Sequence, residues 1–117
     1  MLVVEDHVDN RRILRDLLTT VGYTIVEAQT GEDGVAAAVA DPPDLTLMDI
    51  GLPGVDGVEA TRRIRATPAL REVPIIAVTS YALSGDDARA LAAGCTADVA
   101  KPYSPRALLA KIREFVP

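Results

Sequence analysis

A chain of 117 residues and 12.4 kDa has the length of one domain, and with 49% hydrophobic and 25% charged residues it carries enough apolar material for a single core, which excludes global disorder. One cysteine and one histidine exclude an internal disulfide framework and a structural zinc site, and no apolar run approaches the ~18 residues of a membrane span. The net charge of −5 is split, because residues 1–58 carry 11 Asp and Glu against 3 Arg (−8) and residues 59–117 carry 6 against 9 Lys and Arg (+3), a balance that argues against a nucleic-acid footprint.

In chain order, Leu2 to Glu5 (LVVE) is a short apolar run with the character of a buried strand. The opening MLVVEDH reaches acid too soon for a signal peptide, so a cytoplasmic, reducing compartment is expected. From Asp9, Ile13, Leu14, Leu17, Leu18 and Val21 recur at helical spacing, and Gly22 is placed to end that helix. Tyr23 to Glu27 reads as a strand. Thr30 with Asp33 resembles a capping box for an alanine-rich helix to about Ala40, stopped by Pro42 and Pro43. Leu45 to Met48 is a third strand running into Asp49.

The loop IGLPGVDG follows, with Gly54 and Gly57 expected to permit its turn. Asp56 with Glu59 caps a helix through Arg65, whose Arg62, Arg63 and Arg65 read as a solvated face, with a partner contact as the alternative. Ala66 to Val73 reads as loop only. Pro74 to Thr79 is a fourth strand. Ser84 with Asp87 caps a helix ending near Gly94, beside a structural Cys95. Val99 and Ala100 form a brief fifth strand. Ser104 followed by Pro105 opens a last helix with Leu108, Leu109, Ile112 and Phe115 on its buried stripe.

Strand and helix alternate five times, and the strands lack polar alternation. That pattern predicts a doubly wound α/β domain over residues 1–117, with a parallel sheet covered on both faces and right-handed crossovers. Sites in such sheets form beyond the carboxyl ends of the strands. The residues there are Glu5 and Asp6 after the first strand, Asp49 after the third, Thr79 and Ser80 at the fourth, and Lys101 after the fifth. Clustered carboxylates repel unless a cation lies between them. Oxygen-rich acidic sites suit Mg²⁺, and an Asp carboxylate can itself become an aspartyl phosphate. A lysine and a threonine hydroxyl add charge and a hydrogen bond for a phosphoryl group, whose transfer depends mainly on charge neutralisation.

The segments LVVEDH, LMDIGLPGVDG, AVTSYAL and VAKPYSP, in this order, resemble the receiver domain of two-component response regulators, over essentially the whole chain. The resemblance implies a flavodoxin-like (βα)5 fold with strand order 2-1-3-4-5 and no output domain. It implies that Asp49 accepts a phosphoryl group from a histidine kinase or phosphotransfer protein, and that Thr79 and Lys101 contact it. Asp6 and Asp49, the backbone carbonyl of Gly51 and, through water, Glu5 would hold Mg²⁺, with Mn²⁺ as a substitute. The Lys101-Pro102 peptide would be cis. Phosphorylation would switch binding of a downstream protein through the fourth helix, fifth strand and fifth helix, near Asp98, Tyr103 and Arg106. Direct nucleic-acid contact and membrane insertion are not expected, and the chain would be a monomer or weak dimer. One residue departs from the family. Asp98 stands three residues before Lys101, where an aromatic ring normally turns inward, which leaves Tyr81 and Tyr103 as candidates for the switch group.

Other readings stay open. The chain can be a receiver-like interaction module not regulated by phosphorylation, or a receiver fragment of a hybrid kinase. An aspartyl-phosphate hydrolase would need a second aspartate two residues after Asp49, where Gly51 stands, so an enzyme with external turnover is not expected. His7 beside the acid pair reads as a solvent-facing rim residue.

Overall fold

The computed structural model describes residues 1–79 and 85–117. Strands β1 (Leu2–Val4), β2 (Val26–Ala28), β3 (Thr46–Asp49), β4 (Ile75–Thr79) and β5 (Ala97–Ala100) form one sheet in the order β2-β1-β3-β4-β5. Every pair of neighbouring strands is parallel. Helices α1 (Val8–Thr20), α2 (Gly31–Ala40), α3 (Gly57–Arg65), α4 (Asp86–Ala93) and α5 (Pro105–Arg113) alternate with them. Fold class and strand order agree with the expectation from sequence.

The alternation of side chains along each strand sorts the core into two layers. Val3, Leu47 and Ile76 lie abreast in the register and join Leu14, Leu18, Leu108 and Ile112, beneath α1 and α5. Leu2, Val4, Met48, Ile75 and Ala77 point to the other face, beneath α2, α3 and α4, among Ala38, Val58, Ala60, Ile64 and Ala90. Central strands buried on both faces have no place for polar alternation, which is why the sequence shows unbroken apolar runs there. Three predicted caps form. Thr30 Oγ1 accepts from the Asp33 amide at 3.0 Å, Asp56 Oδ1 from Glu59 at 2.8 Å and Ser104 Oγ from Ala107 at 3.0 Å, each worth about 1 kcal/mol.

Several boundaries and faces differ from the sequence reading. β2 begins at Val26, not Tyr23; Tyr23 instead drops its ring onto the α1–α5 layer and donates its hydroxyl to Val116 O at 2.7 Å. β5 begins at Ala97 and takes Asp98 into the ladder opposite Ala77. Ile13, one of the apolar positions at helical spacing in α1, is 62% exposed, because it lies about 100° round the helix from Leu14 and about 140° from Leu18, which carry the contact. Val21 is exposed as well. The Ala66–Val73 segment holds a 3-10 turn over Pro68–Leu70 that sinks Leu70 into the core. α5 ends at Arg113, so Phe115 packs from beyond the helix. Ser84 and Tyr81 lie outside the described residues; α4 is preceded by Gly85, in the left-handed region with φ 82° and no side-chain cap.

Candidate functional site

The sheet carries the expected residues to one edge, apart from Ser80, which lies outside the described residues. Glu5 and Asp6 follow β1, Asp49 closes β3, Thr79 closes β4 and Lys101 follows β5. Carboxylate oxygens of Glu5, Asp6 and Asp49 all lie within 4.8 Å of one another. Glu5 is 3% exposed and Asp49 8%, whereas Asp6 faces solvent. Lys101 Nζ stands between two of them, 3.5 Å from Glu5 Oε1 and 3.5 Å from Asp49 Oδ2. The Lys101-Pro102 peptide is cis, as expected. His7 is exposed at the N-cap of α1, as the sequence reading had it.

Backbone bonds fix this edge. The Lys101 amide donates to Thr79 O at 2.6 Å, so the lysine is suspended from the end of β4. The Ile50 amide donates to Val78 O at 3.1 Å, and the Gly51 amide donates to Asp49 Oδ1 at 3.0 Å. Asp49 is therefore held by an amide on one oxygen and faces an ammonium with the other.

One cation cannot balance three carboxylates. Burial, followed by the hydrogen-bonding and charge of neighbouring Asp49, raises the Glu5 pKa from 4.5 to about 7, against the opposing pull of Lys101 and Asn10. Glu5 Oε2 is buried without a hydrogen-bond partner, and so is the Thr79 hydroxyl. Buried polar atoms are normally satisfied. An acidic cluster with an orphaned carboxylate oxygen fits a divalent cation with oxygen preference, of the size and charge of Mg²⁺. Among the described residues this is the group of acids that could hold one. A small cavity of about 10 Å³, room for about one water, lies beside it between Glu5, Asp49, Lys101, Tyr103, Val78 and Leu14. Burial, then the charges of Glu5 and Asp49, push the Tyr103 phenol upward.

Three residues do more at these edges than their sequence context indicates. Gly57 does not have a positive φ. A Cβ there would collide with the carbonyl oxygen of Asp49 and approach Ile50 Cα to 2.8 Å, so its smallness lets α3 start against the backbone of Asp49. Arg65 is not part of a solvated face. It is half-buried and donates to the carbonyls of Gly94, Leu70, Arg71 and Val73 at 2.7–3.1 Å and to Thr96 Oγ1 at 3.3 Å, at the opposite end of the sheet. Four residues after the buried Thr61, it lies on the inward side of α3, a placement the sequence does not mark. Arg11 donates to Glu5 O at 3.0 Å, and nothing in its sequence context marks that bond. Asp98 is half-buried in β5 and, among the described residues, forms no ion pair. Cys95 is buried, 3.5 Å from Thr61 Oγ1, as a structural residue should be.

Comparison with known proteins agrees with this geometry. A family model described as the response regulator receiver domain matches residues 1–113. The polar-differentiation response regulator DivK of Brucella ovis is 36% identical over 116 residues, covering 99% of this chain and 94% of its own. The receiver domain of the sensor histidine kinase PA1611 from Pseudomonas aeruginosa, solved with a magnesium ion coordinated in its active-site cleft, is 37% identical with a TM-score of 0.93, covering 98% of this chain and 94% of that one. The receiver domain of Saccharomyces cerevisiae Ssk1, solved with the histidine phosphotransfer protein Ypd1, is 31% identical with a TM-score of 0.90, covering 97% and 86%. Among the described residues no helix is long and apolar enough to cross a membrane. With 113 of its residues matched in sequence and the same fold in space, the chain belongs to the response regulator receiver domain family, a signalling domain for which no enzyme family is indicated.

Proposed function

We propose that this receiver accepts a phosphoryl group on Asp49 from the phosphohistidine of a kinase or phosphotransfer protein, in a Mg²⁺-dependent step, and thereby changes its binding to a downstream protein. The observation that carries this is the pairing of a nearly buried Asp49 with Lys101 at 3.5 Å, inside a carboxylate cluster that lacks sufficient positive charge. The solved relatives with a magnesium ion and with a phosphotransfer protein support it.

An Asp49 carboxylate oxygen attacks phosphorus, a P–O bond forms and the P–N bond to the donor imidazole breaks. The electron pair stays on the imidazole nitrogen, which takes up a proton. The Gly51 amide holds Oδ1, so Oδ2, the oxygen beside Lys101, is the one free to react. Lys101 then keeps its ammonium at the new dianion, and the Thr79 hydroxyl gains the acceptor it lacks in the unmodified chain. Asp6, Asp49, the Gly51 carbonyl and, through water, Glu5 would hold the divalent cation, Mg²⁺ or Mn²⁺, which supplies charge neutralisation to the phosphoryl oxygens. The chain acts only on itself, through its own phosphorylation and dephosphorylation. With Asp98 at the position of the usual aromatic, Tyr103, which already lines the cavity beside Asp49, serves as the ring that answers the change. The domain spans residues 1–117, works in the cytoplasm and is a monomer or weak dimer.

The test is intact-mass analysis after incubation with acetyl phosphate and Mg²⁺. The expected result is a gain of one phosphate in the wild type and none in a folded Asp49→Asn variant. No gain in the wild type would overturn the proposal and leave an unmodified interaction module, and continued release of phosphate over many turnovers would point instead to an enzyme.

A further inference from the structure

The two acids that follow β1 leave the strand ladder at once. Glu5 donates its amide to Ala28 O at 3.0 Å, its last bond to β2. The next peptide, which joins Glu5 to Asp6, presents its carbonyl oxygen to a side chain instead, and Arg11 Nη1 donates to it at 3.0 Å. Arg11 belongs to the first turns of α1, and its side chain is only 13% exposed. Its Nε lies 3.5 Å from Glu27 Oε1, while the other oxygen of Glu27 lies 3.5 Å from Arg15 Nη1. Glu27 is anchored in β2, in register with Val3. A line of charge therefore runs from β2 through Glu27 and Arg11 to the peptide plane shared by Glu5 and Asp6.

That plane matters because of what Asp6 lacks. Among the described residues the exposed Asp6 carboxylate makes no hydrogen bond or ion pair, so no side-chain contact holds it and the backbone sets where its Cα–Cβ bond starts, yet one of its oxygens sits within 4.8 Å of those of Glu5 and Asp49. Three like charges gathered at such distances would turn the loop outward if its peptide were free. A planar guanidinium suits the task, because one fork can donate to a carbonyl and a carboxylate at once where a single ammonium has no such geometry.

We propose that Arg11 is a positioning residue for the cation site. It does not touch the cation; it holds the Glu5–Asp6 peptide so that Asp6 stays in the cluster, and Glu27 holds Arg11. The inference rests on reading Glu5, Asp6 and Asp49 as a divalent-cation site. Groups that orient ligands in this way alter metal affinity by about 10–100-fold when removed.

The test is calorimetric titration of the full chain with Mg²⁺, alongside melting curves. Arg11→Met is expected to weaken Mg²⁺ binding about tenfold, and Arg11→Lys nearly as much. Arg15→Met removes an equal charge that shares Glu27 but not Glu5 O, and is expected to change affinity by less than about twofold. Glu27→Gln, which loosens Arg11 without removing it, is expected to weaken binding about threefold and serves as the test should the Arg11 variants fail to fold. Loading by acetyl phosphate should slow at low Mg²⁺ and recover its full extent at saturating Mg²⁺. Lowered melting temperatures with unchanged Mg²⁺ affinity would overturn the proposal, leaving Arg11 a structural residue. Equal losses in Arg15→Met would overturn it in favour of net charge. Absence of Mg²⁺ binding in the wild type would instead remove the site reading on which it stands.

Discussion

The two ends of the sheet bury charge in opposite ways. At the amino ends of β4 and β5, Arg65 is surrounded by four carbonyls and a hydroxyl, and that hydroxyl, of Thr96, accepts in turn from the Ile75 amide at 3.1 Å. At the carboxyl edge, Glu5 is more deeply buried yet keeps an orphaned oxygen, a raised pKa and two like-charged neighbours. A half-buried charge met by several carbonyls holds loops together; one left in want of a counter-charge is held ready for something that arrives later. The contrast separates structural from functional charge more sharply than burial alone.

The largest effect expected from this contrast is a pH dependence located on Glu5. Its folded pKa is raised from 4.5 to about 7, so the folded chain binds the proton more tightly than the unfolded one. The associated stability is fully present below about 4.5 and is lost as pH rises through about 7. In metal-free buffer, the stability of the wild type relative to Glu5→Gln should fall by roughly 3 kcal/mol across that window, read from urea midpoints. A difference that stays flat with pH would remove the frustration from this end of the sheet.

At the other end, Arg65→Met should cost roughly 2–3 kcal/mol, because several carbonyls lose a charged donor and part of them stays shielded from water. Phosphate gained per folded molecule should not change. A variant that keeps its stability would show that the carbonyls are as well served by solvent.

A smaller effect comes from a pair of hydroxyls on opposite ends of neighbouring strands. Thr46 at the start of β3 and Thr79 at the end of β4 both bury an unpartnered Oγ1. Replacing either with valine should leave stability unchanged or raise it by about 1 kcal/mol, since an unsatisfied buried group is removed. Only Thr79→Val should shorten the lifetime of the phosphorylated form, measured by the decay of the added mass. Equal lifetimes in the two variants would remove Thr79 from the site.

Much of the carboxyl edge could be read from the sequence because topology does the work. Once β1, β3, β4 and β5 are recognised as parallel, Glu5, Asp6, Asp49, Thr79 and Lys101 have one edge on which to meet. Their charges then demand a cation whatever the side-chain details. The amino end gave no such handle. Round the helix Arg62 and Arg63 stand about 100° apart and Arg65 about 60° from Arg62, so which of them turns inward depends on where α3 rests on the sheet, a matter of packing rather than pattern. The same limit hides which of Ile13 and Leu14 is buried. The contact that Gly57 permits and the bond that Arg11 makes are invisible in the sequence for another reason: each involves a backbone carbonyl, of Asp49 and of Glu5, and carbonyls leave no mark there.

Thermal melting with and without Mg²⁺ puts the central claim to its most direct test. If the carboxyl edge is frustrated for want of a cation, millimolar Mg²⁺ should raise the melting temperature of the wild type, as any ligand selective for the folded state does. In metal-free buffer Asp49→Asn should melt no lower than the wild type, and neither it nor Asp6→Asn should gain much from Mg²⁺. A wild type indifferent to Mg²⁺, or variants that respond to it as fully as the wild type, would contradict the account.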